Sequence, residues 1–425
     1  MYEDLIHYIW KFRKLSQRAL TTTANDALRI LDYGTHNHFS GPDFFNAKVE
    51  IAGQLWAGNV EMHIKGSDWY RHQHHLDRKY NNVILHVVWN NDVPIFGSDN
   101  REIPTLELRH FISDTLLLNY NQLFNNLNNN FINCEKHIGR LDPFLLDNWL
   151  ERLFFERLEK KSIEIGHLLK ASENNWEQVL FLLLLKNFGL KINGASFMSI
   201  GKAIDFIVVQ KTRGIPYQLE SILFGMAGLL ESEEIRDRYY LKLKSEYTYL
   251  KNKFNLDNSS VIFPEFFKLR PVNFPTIRLS QFATLYNKRH LFSLVIAANK
   301  RAELIKIFRL TTNDYWTSHF VFGKYSAPII KRVTPKFIDL LLINTVVPIK
   351  FCYARHLGND ISDALLELIA EVRAERNSIV TAFQDLGVRA SNAMNSQAIL
   401  QLHNGYCVKN KCLQCAIGVQ LLNGK

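Results

Sequence analysis

Asp43, Glu61, His63 and Lys65 are the residues of this chain whose types and spacing could do chemistry. They lie in the stretch GPDFFNAKVEIAGQLWAGNVEMHIK, residues 41–65. Asp43 follows a Gly-Pro turn. Glu61, His63 and Lys65 alternate along a predicted strand, and side chains at i, i+2 and i+4 of a strand share a face. One surface would carry a carboxylate, an imidazole and an amine, with a second carboxylate delivered by the neighbouring segment. Mg²⁺ takes a few carboxylate oxygens and keeps positions open for phosphate. Phosphodiester hydrolysis uses such an ion to neutralise developing charge and to activate water. Asp43 and Glu61 are therefore the expected ligands of Mg²⁺ or Mn²⁺. Lys65, with His63, would serve the nucleophile.

Three other groups of residues carry chemical potential. The segment SDWYRHQHHLD, residues 67–77, packs Asp68, His72, His74, His75 and Asp77 around Trp69 and Tyr70. His72 and His74 could form an extra metal or phosphate site, with histidine as general acid or base, and Trp69 could stack on a base; the competing reading is a polar loop capped by Asp68 and anchored by Trp69. His86, inside an apolar run, reads as a core histidine. Near the C-terminus, His403, Cys407, Cys412 and Cys415 read H-x3-C-x4-C-x2-C. The C-x2-C half has zinc-knuckle spacing. The ion is zinc or an iron–sulfur cluster, with His403 or Cys134 as the fourth ligand; the competing reading is three cysteines near a helix start without metal. Cys352 reads as a small hydrophobe. In KLRPVNFPTIRLSQ, residues 268–281, Arg270 and Arg278 sit on a Pro-stiffened loop that could contact a phosphate backbone or simply join two helices.

The elements that must hold these residues are legible by period. Residues 2–20 suit an amphipathic helix with Leu5, Ile6, Ile9, Trp10 and Phe12 on its apolar face. Strands are predicted at 28–31, at 45–51 with Phe45, Ala47, Val49 and Ile51 facing inward, at 60–64, at 83–89 and at 105–108. VILHVVW at 83–89 is apolar throughout, as in a central strand covered on both faces. The Asn-rich stretch 121–133 reads as a linker. From residue 142 onward the period is helical. The expected fold is an α/β domain over 1–120, a linker over 121–140, and a large all-α domain over 141–425 ending in the cysteine cluster.

Composition narrows the partners. The chain has 425 residues, 47% of them apolar, and a formal net charge of +10. That excess of cations favours a polyanionic partner, nucleic acid above all. No cationic-then-apolar leader opens the sequence, and Val179–Leu185 is too short to cross a bilayer. Five cysteines, three of them within residues 407–415, do not form a secreted disulfide framework. A cytoplasmic protein without a membrane segment is expected.

Pro42-Asp43, a hairpin, and then Glu61-Met62-His63 on the next strand resemble the PD-(D/E)XK nuclease superfamily. The order of predicted elements resembles it too. The resemblance implies a restriction-endonuclease-like fold, Asp43 and Glu61 on the metal, and Glu3 as a further acid from the first helix. It departs where the superfamily lysine falls on His63, with the amine displaced to Lys65. Some nucleases of that superfamily hold iron–sulfur clusters on similar cysteines. Nearly the whole chain is also similar to a bacterial family of unknown function, domain-of-unknown-function family 2851, through GNVEMHIKGSDWYRHQHHLDRKYNNVILHVVW and YCVKNKCLQCAIG. The function expected is metal-dependent hydrolysis of DNA or RNA. The alternative is a nucleic-acid- or protein-binding scaffold that kept the fold and lost the lysine.

Overall fold

The computed structural model describes residues 3–16, 19–124, 131–287 and 290–424. The chain divides into two compact units. The first comprises Met1–Trp149 together with Leu402–Lys425, and the second Leu150–Gln401. The segment with the three C-terminal cysteines thus belongs with the N-terminal half, not with the helical part where the sequence reading placed it.

The first unit is built on a mixed seven-stranded sheet. A helix α1 (Glu3–Lys11) precedes β1 (Leu20–Thr21), β2 (Ala27–Asp32), β3 (Thr35–His36), β4 (Phe44–Ile51), β5 (Gln54–Lys65), β6 (Val83–Asn90) and β7 (Thr105–Glu107). The strand order is β1-β2-β4-β5-β6-β7, with β3 paired to β4. β4 and β5 form an antiparallel hairpin, whereas β5–β6 and β6–β7 are parallel. The hairpin turns at Ala52 and Gly53, both at positive φ (50° and 81°), which is the twist that suits a two-residue connection. α1 buries Leu5, Ile6, Tyr8, Ile9 and Trp10 and is shorter than the period predicts; Phe12 is exposed beyond its end.

The inward phase of β4 differs from simple alternation. Phe44, Ala47, Val49 and Ile51 are buried, not Phe45. The pairing register shifts between Phe44 and Ala47, and Asn46 sits there at φ 58°. This bulge inserts a residue and inverts the strand's faces at its start. β6 is buried over Val83–Val88, between β5 and β7.

After β7 come α2 (Asp114–Phe124), which takes the start of the expected linker into a helix, and α3 (Pro143–Ala171). Residues 125–130, the centre of that expected linker, lie outside the described residues. Among the described residues the second unit is mostly helical, with one hairpin, His319–Val321 with Lys324–Tyr325. At its centre the helix Trp176–Phe188 is buried along Val179–Leu185. A longer apolar run than that one, Pro335–His356, has the length and composition to cross a bilayer, but 72% of its apolar window is buried inside the protein. Its apolarity serves the core.

Candidate metal and anion sites

The bulge in β4 places Asp43 against Glu61 of β5. The Asp43 amide donates to Glu61 Oε2 at 3.1 Å, and the Met62 amide donates to Asp43 Oδ2 at 2.9 Å. The two carboxyl groups are thus locked side by side by each other's backbone. Glu61 is 5% exposed. Burial, and then the negative charge of Asp43, pushes its carboxyl up to about 9, so near neutrality the pair keeps a proton that a cation could replace.

Around this pair the structure gathers imidazoles. His63 Nδ1 lies 2.8 Å from His86 Nε2, and His63 Nε2 lies 3.2 Å from His72 Nδ1. Glu61 Oε1 is 3.2 Å from His74 Nε2 and 3.7 Å from His63 Nε2. Ligand atoms of His63, His72 and His74 all lie within 4.8 Å of one another. Burial and the neighbouring imidazoles hold His63 down to about 2, and burial holds His86 down to about 3. Both rings stay neutral, the form that binds metals. His86 fixes the second nitrogen of His63, as an outer partner orients a ligating histidine.

Local backbone explains how His72 and His74 converge. The helical turn Asp68–Arg71 ends at His72, Gln73 adopts φ 60°, and His74 begins a 3₁₀ turn. The left-handed residue reverses the chain so that both rings face His63, although neither strand nor helix spacing would bring them together. Tyr80 stacks on His74 at 3.8 Å between ring centroids. From the other side α1 supplies His7, whose Nε2 is 3.3 Å from Asp43 Oδ2. Burial opposes charge on His7, but Asp43 outweighs it and raises His7 above the ordinary histidine value. Glu3, one turn earlier, is raised by burial and also feels Asp43 and His72. His7 escaped the sequence reading; its signal was the i, i+4 spacing from Glu3 on one helix face.

Other expected site residues stand elsewhere. Lys65 is exposed at the end of β5, its amide donates to Asp68 Oδ2 at 3.1 Å, and its ammonium is among the charges acting on Asp92. Trp69 is 1% exposed, packs with Val83, Ile95 and Ile103, and donates from Nε1 to the Phe96 carbonyl. It is a core residue with no face for a base. His403 stacks on Phe131, and its Nδ1 meets Asn404 Oδ1 at 3.0 Å. The thiol set of Cys407, Cys412 and Cys415 is joined instead by Cys134.

The second unit brings Arg270 and Arg278 to one cavity of about 1880 Å³. Arg301, Arg332, Lys336, Arg373 and Arg376 also line it, against the acids Asp339 and Glu375. Arg301 is neutralised by a two-pronged pair with Asp339, at 2.7 and 3.0 Å. Arg278 is 7% exposed, lies over the Phe337 ring, and bonds the neutral side chains of Gln281 and Asn273. Its buried Nε has no partner, and burial lowers its pKa to about 10. A buried guanidinium held by neutral groups leaves net positive charge in the wall of the cavity.

A family model matches residues 3–378, which take in both sites up to that point. The chain belongs to the family described as protein of unknown function (DUF2851). No curated protein and no solved structure matches it.

Proposed function

We propose that this DUF2851 protein is a metal-dependent phosphodiesterase acting on nucleic acid, with its reaction centre on Asp43, Glu61 and the surrounding histidines. The observation that carries the reading is the meeting of a proton-holding carboxyl pair with three imidazoles in one recess. A restriction-endonuclease-like identity for the first unit is part of the proposal. It draws on Pro42-Asp43, on the β4–β5 hairpin with Glu61, and on the parallel β6 beside it. The donor set fits a divalent cation. Glu61 Oε1, His63 Nε2, His72 and His74 would hold it, with Asp43 beside them, and imidazole donors favour Mn²⁺ or another transition ion over Mg²⁺. Such an ion supplies Lewis acidity toward a phosphate oxygen and makes water a better nucleophile.

The chain's own residues do the rest. Asp43 and Glu61 fix each other through their backbone bonds, so neither rotates away when the proton leaves. His86 keeps the Nε2 of His63 turned inward. His7, whose charge burial opposes but whose pKa Asp43 raises above the ordinary histidine value, stands at the edge of the recess and can donate a proton to the leaving oxygen. The basic cavity of the second unit supports a polyanionic substrate independently. Lys65, exposed at the end of β5 and, among the described residues, not bonded to the carboxyl pair, favours the second reading: a nucleic-acid-binding scaffold without cleavage.

Full-length protein incubated with single- and double-stranded DNA and RNA should cleave at least one polymer in Mn²⁺, less well in Mg²⁺, and not in EDTA. Glu61→Ala should abolish cleavage while leaving nucleic-acid binding intact. Binding without cleavage under every ion would establish the scaffold. Cleavage unaffected by Glu61→Ala would sink the assignment.

A further inference from the structure

The C-terminal segment of the first unit brings three thiols to a fourth that is remote in sequence. Cys134 and Cys415 are buried, Cys407 and Cys412 are half-buried, and all four are free of disulfides. The Asn133 amide, adjacent to Cys134, donates to Cys412 Sγ at 3.4 Å and to Asn410 Oδ1 at 3.3 Å, stitching the two segments together. The thiols also act on one another. Burial first, and then the charges of neighbouring cysteines, raises the Cys134 and Cys407 thiols well above the ordinary range. Burial likewise pushes Cys412 up to about 11. Burial raises the Cys415 thiol too, and the amides of Gly418 and Ile417, which point at its sulfur, only partly oppose that. Gly418 is needed there, since a Cβ would fall 2.1 Å from the Cys412 carbonyl oxygen. Four buried or half-buried thiols brought together from two remote segments offer a sulfur ligand set that becomes thiolate on binding a metal centre, with release of its protons.

Spacing distinguishes the candidate centres. Zn–S bonds of about 2.3 Å would draw four thiolates to roughly 4 Å from one another. Among the described residues, His63, His72 and His74 meet a 4.8 Å limit, and no three of these sulfurs do. A [4Fe–4S] cluster sets each of four thiolates on a different iron and so spreads them more widely. We propose that Cys134, Cys407, Cys412 and Cys415 ligate a [4Fe–4S] cluster. The ligand set is complete without His403. The Cys412–Gln414 turn packs on α1 and the final helix, Ala416–Leu422, packs on α2, so the cluster pins the helix that carries Glu3 and His7.

Full-length protein purified without oxygen should contain about four irons and four acid-labile sulfides per chain, with a broad visible absorption that bleaches on reduction. Cys134→Ser should lose most of the iron, while His403→Ala keeps it. Glu61→Ala should also keep it, which separates this centre from the phosphodiesterase reading. One zinc per chain without sulfide would overturn the proposal. So would failure to take up iron on anaerobic reconstitution with ferrous ion and sulfide, or full iron retention in folded Cys134→Ser. Should Cys134→Ser not fold, the iron and sulfide content of the unaltered protein decides alone.

Discussion

The proton held by Glu61 governs how the recess answers pH and metal. In an unfolded chain this carboxyl titrates near 4.5, but burial beside Asp43 raises it to about 9 in the fold. Its stabilising contribution is complete below the unfolded value and is lost as pH rises through the folded one. His63 and His86 act in the opposite sense. Burial lowers them from 6.5 to about 2 and about 3, so the unfolded chain binds protons that the fold refuses, and stability falls as pH drops below the unfolded value. The metal-free protein should therefore melt at lower temperature toward about pH 5, through the two histidines, and again toward about pH 9, through Glu61. Glu61→Gln, which cannot ionise, should remove the alkaline loss and leave the acid loss. Saturating Mn²⁺ should also remove the alkaline loss, because the cation takes the place of the proton. Thermal melts across this range, with EDTA or with Mn²⁺, check both signs. A second expectation belongs to His7. His7→Gln should lower kcat about 100-fold with KM little changed, since its charge bears on the leaving oxygen and not on binding. Equal losses in kcat and in metal affinity would make it a positioning residue instead.

Two short backbone features do most of the positioning. Asn46, at φ 58°, makes the bulge that aims Asp43 at Glu61, and its amide meets Asn59 Oδ1 at 3.3 Å. Asn46→Gly should be tolerated because glycine accepts positive φ. Asn46→Val should cost about 1–2 kcal/mol, the price of a left-handed β-branched residue. It should also weaken Mn²⁺ binding about tenfold by loosening the Asp43–Glu61 lock. Denaturant melts and metal titration of both variants measure these effects. Normal metal affinity in a folded Asn46→Val would mean that the bulge does not position the acid. The same feature marks where sequence reading reaches its limit. Alternation located β4 and β5, and their acids, because a half-buried strand writes its period into hydrophobicity. It set the wrong inward residue at the start of β4, Phe45 for Phe44, because a bulge leaves no hydrophobic signature. His72 and His74 were legible as chemistry but not as partners of His63, since their meeting depends on left-handed Gln73. For Trp69 the sequence leaves stacking surface and buried anchor both open, because an aromatic ring looks alike in a core and on a face; the structure has the anchor. Cys134 could be named as a fourth ligand, but a return of the chain over more than half its length leaves no local pattern.

For the molecule as a whole, the net charge of +10 is less informative than where the cations stand. In the second unit they line a cavity of about 1880 Å³ with few acids to offset them, and Arg301 is the one whose charge Asp339 takes up. Exposed Arg332, Arg373 and Arg376 are free to displace counterions from a phosphate backbone, whereas buried Arg278 contributes field and holds the wall. These roles separate in a salt titration. With Glu61→Ala as the cleavage-deficient background, affinity for nucleic acid should fall steeply as salt rises, through counterion release. Adding Arg373→Ala or Arg376→Ala should weaken binding to all sequences alike, and each should reduce the slope of log K against log salt by about 1. The double variant should reduce it by about 2 if the two contact separate phosphates. Arg278→Met should chiefly lower the melting temperature, because it removes the guanidinium that bonds Asn273 and Gln281 and covers Phe337. A slope unchanged by Arg373→Ala and Arg376→Ala together would place the polyanion away from this cavity. The cations there would then serve solubility, and the +10 charge would say nothing about substrate.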